Sequence, residues 1–543
     1  MSGRLPRRLH AHSAAQLLIR RLASLSPGGG EVARRWFYLP LVLSLLLVGF
    51  VQPRSDVGHQ PLENHTTLTR VAPVDSQLRP TATGRAVLWA NDRPFFPVGV
   101  TYHFTRQQGE WDADLKLMQD MGLNTVRADF AWRDIVPTWE GRYNFAVLDQ
   151  FLDKAAQYGL YVVPVFSYAT GDINTPWWFW LFYRGWGAVG ADGWRPFGDW
   201  PSMNSADYRR LFSEYVSQTV RHLSQHPAVL AYQVMNEPHY PPEPLSDYSD
   251  AALKAFRQWA RDNHQSLQDL NGSWDSDYRS FADIVPPQLT SQGADWSTLL
   301  WQDWRKFAYE SVASFVGYIA TVVRQADGQK HAILVSEMTW WWWGEEPATA
   351  VSPEYVYDAA DVVGFDVYPE SGAHADYYGL NVDLLQRIWQ KPVWAMEVNR
   401  KDGNPTAGEI RAFVASAVER GATGIFYFEW RDTWSDGGAY GLLDTRGNPK
   451  PQFYAFADTV DWLRRQADRL VSGQVSPPDA YVVWSSEAIA ITAGDKSPAH
   501  DVFQTASKLL RRGLRVGILP EAQALAVGLN PTAGVFYGQA GAR

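Results

Sequence analysis

The chain has no cysteine. That absence excludes a thiol nucleophile, a cysteine-ligated zinc site and a disulfide framework. It does not argue against an extracytoplasmic location, because a domain of this length needs no covalent staples. No glycine-rich phosphate turn follows the first candidate strand, where "TYHFTRQQGEW" (101–111) holds a single glycine, so a dinucleotide-binding sheet is disfavoured. The body of the chain also lacks positive charge. Seven arginines against one acid, Glu31, fall in residues 1–35, so the remainder is more negative than the whole-chain −9, which argues against nucleic acid as a partner. Charge of either sign is missing from Trp36 to Pro53.

Those eighteen residues would span about 27 Å as a helix, close to one bilayer core. Arginines before the segment and acidic bulk after it fit a signal anchor whose N-terminus stays inside. A cleaved signal peptide and a buried core helix are the alternatives, although no A-x-A site follows. The expected order is a basic cytoplasmic segment (1–35), a transmembrane signal anchor (36–53) and a polar linker (54–84) rich in Pro and Thr.

Aromatic residues are abundant, at 14% with 26 tryptophans. They serve either a heavy core or a groove that stacks on flat ligand faces. From residue 85 to 471 short apolar runs alternate with longer amphipathic stretches, the pattern of βα units around a parallel sheet. The runs are 95–102, 124–130, 161–166, 229–236, 331–336, 361–368, 392–397 and 424–430, with helices expected near 111–121, 145–158, 205–225, 249–264, 296–325, 380–389, 405–419 and 452–470. Eight such units predict an α/β fold, a (β/α)8 TIM barrel. "AVLWANDRPFF" (86–96) reads as a hairpin turning at Asn91-Asp92 and able to plug the barrel floor. Residues 472–543 return to a βαβ pattern, a short flavodoxin-like segment that stops before its sheet would close.

Two of these buried runs end in carboxylates. Asn236, Glu237, Pro238 and His239 terminate the fourth, and Glu397 terminates the seventh. A barrel of this kind carries its active site at the C-terminal ends of its strands, which brings both glutamates to one mouth. Two carboxyls facing one cleft are the apparatus of glycoside hydrolysis. One is protonated to assist the leaving oxygen and the other ionised to attack the anomeric carbon, with burial and mutual repulsion separating their pKa values. For either glutamate, the structural alternative is a buried ion pair with Lys or Arg. Arg127, in the second run, can hold Glu397 ionised through a charge-assisted hydrogen bond. Asn236 can donate to a sugar 2-hydroxyl, and Tyr368, ending the sixth run, can bond the nucleophile. Trp430 ends the eighth run, where its face can stack on a pyranose, and Tyr102 and His103 end the first. Nothing in this set calls for a metal or a cofactor.

Asn-Glu-Pro after the fourth strand and Glu after the seventh resemble the clan A glycoside hydrolases. Within that clan, "GLNTVRADFAWRDIVPTWEGRYNFAVLDQFLDKAAQYGLYVVP" (122–164), "FRQWARDNHQSLQDLNGSWDSDYRSFADIVPP" (256–287) and "KPVWAMEVNR" (391–400) resemble family 42, the β-galactosidases. The tail, with "DAYVVWSS" and "LLRRGLRVGILP", resembles the start of that family's trimerisation domain. The resemblance implies Glu237 as acid/base and Glu397 as nucleophile, supported by Asn236 and Arg127. There are departures. Pro238 and His239 stand where family 42 has an aromatic residue and glycine, as in family 5 glucanases and mannanases, and the truncated tail leaves a trimer open. Trp177, Trp178, Trp180, Trp186, Trp194 and Trp200 after the third strand, and "TWWWWGEE" (339–346) after the fifth, suit either a rim stacking on several sugars or packing between loops.

The sequence thus leads to the expectation of a membrane-anchored, extracytoplasmic retaining β-glycosidase of β-galactosidase type, acting on a carbohydrate. The alternatives are an endo-β-glucanase or β-mannanase of family 5 type, and a carbohydrate-binding protein without catalysis, which retention of both glutamates disfavours.

Overall fold

The computed structural model describes residues 75–526, except 82–83, 167–174, 183–186, 194–200, 241–246, 290–293, 296, 344–349, 434–438, 473–474 and 486–497, together with 535–537. The basic segment, the anchor and most of the linker lie outside the described residues, as do the side chains of Trp180, Trp186, Trp194 and Trp200. Among the described residues no helix is long and apolar enough to cross a membrane.

The end of the expected linker is a strand instead. β1 (Ser76–Pro80) pairs antiparallel with β2 (Ala86–Ala90), which turns at Asn91 and Asp92 into β3 (Arg93–Pro94). Both turn residues have positive φ, 51° and 57°, as a two-residue hairpin turn requires. β1 has one aliphatic residue, Leu78, too little for periodicity to register, and its strand state comes from pairing.

The barrel strands are β4 (Val98–Tyr102), β5 (Thr125–Asp129), β6 (Tyr161–Val165), β7 (Ala231–Asn236), β8 (Ala332–Met338), β9 (Val362–Val367), β10 (Val393–Val398) and β11 (Gly424–Tyr427). They run parallel and close, with β11 returning to β4. Each is buried on both faces, which is why each reads as an apolar run rather than an alternation. The connecting helices begin and end on ordinary signals. Thr406 and Glu409 form a capping box at Ala407–Glu419, and Gly122, at φ 87°, ends Trp111–Met121 in the left-handed region that glycine tolerates.

The lower barrel interior is filled by Val163, Leu230, Leu334, Val362, Trp394, Met396 and Phe426, with Leu88 and Ala90 of the hairpin packed beneath. The expected floor plug is therefore present. Gly424 makes room for this layer, since a Cβ there would lie 2.7 Å from the Trp394 ring. After β7 an insertion carries helices Asp250–Asn263 and Leu267–Trp274, which form their own small core with Trp301 and Trp304.

The tail forms β12 (Ala480–Trp484), helix Pro498–Leu510, β13 (Val516–Pro520) and β14 (Val535–Tyr537) in the order β13-β12-β14. It docks on the helix Asp376–Trp389, where Ile518 N–H donates to Asp383 at 2.5 Å and Tyr377 stacks on Phe503 at 3.5 Å. It also covers part of the tryptophan run after β8. Trp342 is fully buried, donates to Asn381 at 2.6 Å and packs on Trp484 and Phe503.

Candidate active site

Strand alternation aims Thr101 of β4 and Arg127 of β5 at the barrel axis. The Arg127 guanidinium is fully buried. Its Nε donates to Gln233 Oε1 at 2.8 Å, Nη1 to Thr101 Oγ1 at 3.0 Å and to Glu397 Oε1 at 2.6 Å, and Nη2 to Asn236 Oδ1 at 2.5 Å. Glu397 also accepts from Asn236 Nδ2 at 3.5 Å and, in a short hydrogen bond, from the Tyr368 hydroxyl. Arg127 and Tyr368 thus both reach Glu397 as the sequence suggested, joined by Asn236, whose amide was expected on a sugar 2-hydroxyl, and the carboxylate is an ion-paired acceptor.

Both glutamates stand just beyond irregularities in their strands. The β7–β8 register shifts between Gln233 and Met235, and the β9–β10 register between Ala395 and Glu397. A bulge inserts one residue and re-aims the side chains beyond it. It lets Gln233 and Asn236, three apart, both reach Arg127, and lets Met396 and Glu397 both face inward. Glu237 then takes φ 46°, a left-handed conformation uncommon for a glutamate, with its N–H donating to Ser336 O at 2.8 Å. Non-glycine residues held in this way concentrate at functional sites. His239 Nδ1 donates to the Glu237 carbonyl at 2.6 Å, and burial lowers this imidazole to about 4, so it is neutral.

Two further carboxyls that sequence reasoning missed lie beside the pair. Asp366, within β9, is buried and accepts from Ser336 Oγ at 2.7 Å, and Glu337 of β8 accepts from the Met338 N–H at 3.0 Å. One oxygen from each of Glu237, Asp366 and Glu397 lies within 4.8 Å of the others. Among the described residues this is the one acidic group close enough to grip a cation, but Arg127 already occupies Glu397. Burial pushes the Glu237 carboxyl well above the usual carboxylate range, with the charges of Glu397, Asp366 and Glu337 adding to it. Burial and then Glu397 raise Asp366 to about 7, against the pull of Arg127 and Ser336. An acid held protonated beside an ion-paired carboxylate is the division of labour that acid-assisted displacement needs. The signal for Asp366 and Glu337 was available as lone carboxylates inside otherwise apolar runs.

His103 sits in a second cluster at the same mouth. Its Nδ1 makes a short contact with Asp129 and its Nε2 lies 3.1 Å from Glu429. Burial works against charge on this ring, yet the two carboxylates outweigh it and raise His103 to about 10. The partly exposed Phe428 ring lies between His103 and Tyr368, 6.2 Å from the first and 6.1 Å from the second.

Two expected contacts are not made. Tyr102 points away from the axis and donates to Asp114 of the helix Trp111–Met121 at 2.8 Å, because its neighbour Thr101 takes the inward position. Trp430 is fully buried against Phe453, with no hydrogen-bond partner for its Nε1 among the described residues, so its face is not open to a sugar. β11 ends at Tyr427, and it is Phe428 that faces the mouth. The aromatic rim divides likewise. Trp178, Trp341 and Trp342 are core, whereas Trp177 remains 57% exposed with its indole N–H on Pro137 O.

A family model described as β-galactosidase, that of glycoside hydrolase family 42, matches residues 101–464. β-Galactosidase BgaA of Clostridium cellulovorans is 25% identical over 420 residues, covering 72% of this chain and 60% of its own. β-Galactosidase BgaH of Haloferax lucentense is 27% identical over 364 residues, covering 62% and 53%. The chain thus spans little more than half the length of these relatives. Among solved structures, a β-galactosidase from the psychrophilic Marinomonas ef1 superposes with a TM-score of 0.67 at 22% identity, over 78% of this chain and 70% of that one. A β-galactosidase from the haloarchaeon Halorubrum lacusprofundi gives 0.67 at 23% identity, over 78% and 66%. At these identities the likeness is one of fold.

Proposed function

This chain belongs to glycoside hydrolase family 42, and from that membership we propose that it is a retaining β-glycosidase of β-galactosidase type. The observation that carries the reading is the proximity of Glu237 and Glu397, one carboxyl oxygen of each lying within 4.8 Å of the other. Retaining enzymes hold their carboxyls about 5–5.5 Å apart and inverting ones about 6.5–9.5 Å, the latter leaving room for water. In this reading Glu237 protonates the departing oxygen while Glu397 forms the glycosyl-enzyme, and Glu237 then removes a proton from the water that resolves it. Arg127, Asn236 and Tyr368 orient the nucleophile. Phe428 and the His103 cluster line the same mouth and are placed to contact the sugar.

The substrate is a neutral β-linked galactoside, and the segment 36–53 anchors the enzyme with its barrel outside the cytoplasm. The charge asymmetry around that segment supports the location. The test is a panel of nitrophenyl β-glycosides run beside short β-linked oligosaccharides. Turnover of the galactoside with retained configuration by proton NMR supports the reading, and cleavage of β-glucan or mannan oligomers without turnover of aryl galactosides replaces it with the endo-acting alternative.

A further inference from the structure

Asp366 has no part in the double displacement, yet it is a fully buried carboxyl at its centre. It lies on the inner face of β9, two residues before Tyr368. Ser336 Oγ satisfies its Oδ1 at 2.7 Å, while Oδ2 is buried and has no hydrogen-bond partner among the described residues. A buried acceptor left without a donor is costly and calls for an explanation. The groups facing it are Ser336 and Glu337 from β8, Glu397 from β10, Arg127 from β5, Glu237 beyond β7 and, on its own side, Tyr368 and Tyr357. The Arg127 donors go to Glu397, Thr101, Gln233 and Asn236, and the Tyr368 hydroxyl goes to Glu397. Tyr357 donates to Gly364 O at 2.7 Å. A carboxyl oxygen of Glu237 lies within 4.8 Å of one from Asp366, and Asp366 raises the proton affinity of Glu237.

We propose that Asp366 is a positioning residue for the acid/base step, holding the proton on Glu237 until a glycosidic oxygen replaces it as the acceptor. The inference rests on Glu237 being the acid/base. As the glycosidic C–O bond breaks, the Glu237 proton passes to the leaving oxygen and Glu397 bonds to the anomeric carbon. In the second step water bonds to that carbon, the ester to Glu397 breaks and the water's proton returns to Glu237. Asp366 bonds to nothing and is unchanged at the end. Above about pH 7 its charge, beside that of Glu397, favours the protonated form of Glu237 at the start of each cycle.

The experiment compares Asp366→Asn with wild type in the pH dependence of kcat/KM, using the methyl and nitrophenyl β-glycosides of the best sugar in the panel. Asp366 titrates at about 7. Below that pH it is neutral in the wild type too, and the methyl-glycoside profiles run parallel. Above it the wild type gains an anion that the Asn variant lacks, so the variant's alkaline limb lies lower, by about one pH unit. The nitrophenyl glycoside, needing little protonation, shows a smaller divergence. Ser336→Ala removes the donor that favours charged Asp366 and shifts the limb the same way by less, which decides the matter if Asp366→Asn does not fold. A loss by one constant factor at every pH, with the limb unmoved, assigns Asp366 a merely structural role and overturns the proposal. If Glu237→Gln shows the leaving-group dependence of an acid/base variant and the limb still does not move, Asp366 alone has failed. If Glu237→Gln shows no such dependence, the acid/base reading itself has failed.

Discussion

Arg127 and Glu397, 270 positions apart in the chain, meet at 2.6 Å in the barrel mouth. The guanidinium is completely buried, so its charge is balanced by this carboxylate and by polar neighbours rather than by water. Arg127→Lys keeps the charge and loses the planar fork that reaches Glu397, Asn236 and Gln233 together. Breaking a buried pair costs about 3–5 kcal/mol. We expect kcat/KM to fall by about 100-fold or more, with a lower Tm, measured by steady-state kinetics and thermal unfolding of the same preparation.

Glu397→Ala abolishes turnover of the natural linkage. Azide, entering the space left by the carboxylate, restores a product of inverted configuration from an activated glycoside. A 2-deoxy-2-fluoro glycoside of the right sugar leaves a covalent adduct, and peptide mapping places it on the segment containing Glu397. Mapping to any other residue, or inversion in early wild-type product by proton NMR, sinks the double-displacement reading.

Glu237→Gln retains shape and loses the proton. Substrates with poor leaving groups lose about 100-fold or more, as expected when general acid assistance is removed, while the glycosylation step on dinitrophenyl glycosides is nearly spared. Pre-steady-state bursts separate the two steps. Equal losses on both substrate types count against the role.

The His103 cluster gives a pH dependence of stability with a definite sign. Its folded value is raised from 6.5 to about 10 by Asp129 and Glu429 against the opposing effect of burial. A raised cation contributes its full stabilisation below about pH 6.5 and loses it as the pH climbs through 10. Wild type should therefore exceed His103→Gln in Tm by most near pH 6, with the gap closing towards pH 10. A gap that widens with pH contradicts the imidazolium assignment.

Expressed in its host, the full-length protein should sediment with membranes, and removal of residues 1–53 should release a soluble, active enzyme. A free product whose N-terminus begins near residue 50 identifies a cleaved signal instead.

Local pattern determined a good deal on its own. Eight apolar runs separated by amphipathic stretches fixed the barrel and its strand order, because two-sided burial and helix amphipathicity both write themselves into neighbouring residues. The rule that barrel chemistry sits at strand ends then singled out Glu237, Glu397, Asn236 and Arg127, and the structure brings all four together. Facing direction was not legible in the same way. Tyr102 and Thr101 are adjacent polar residues at one strand end, and only the register with β5 decides that Thr101 looks inward while Tyr102 reaches Asp114. The bulges at Gln233/Met235 and Ala395/Glu397 shift the inward set by one residue, an offset that no period-two reading contains. Trp430 and Trp342 are large apolar side chains whose exposure depends on what covers them, here Phe453 for one and the docked tail for the other. Asp366 gained its place beside Glu237 because non-local strand pairing closes the barrel and brings one carboxyl oxygen from β9, one from β10 and one from the residue just beyond β7 within 4.8 Å of one another. Sequence carries the local period and the residue chemistry, whereas register, bulges and long-range coverage arise only when distant segments pair.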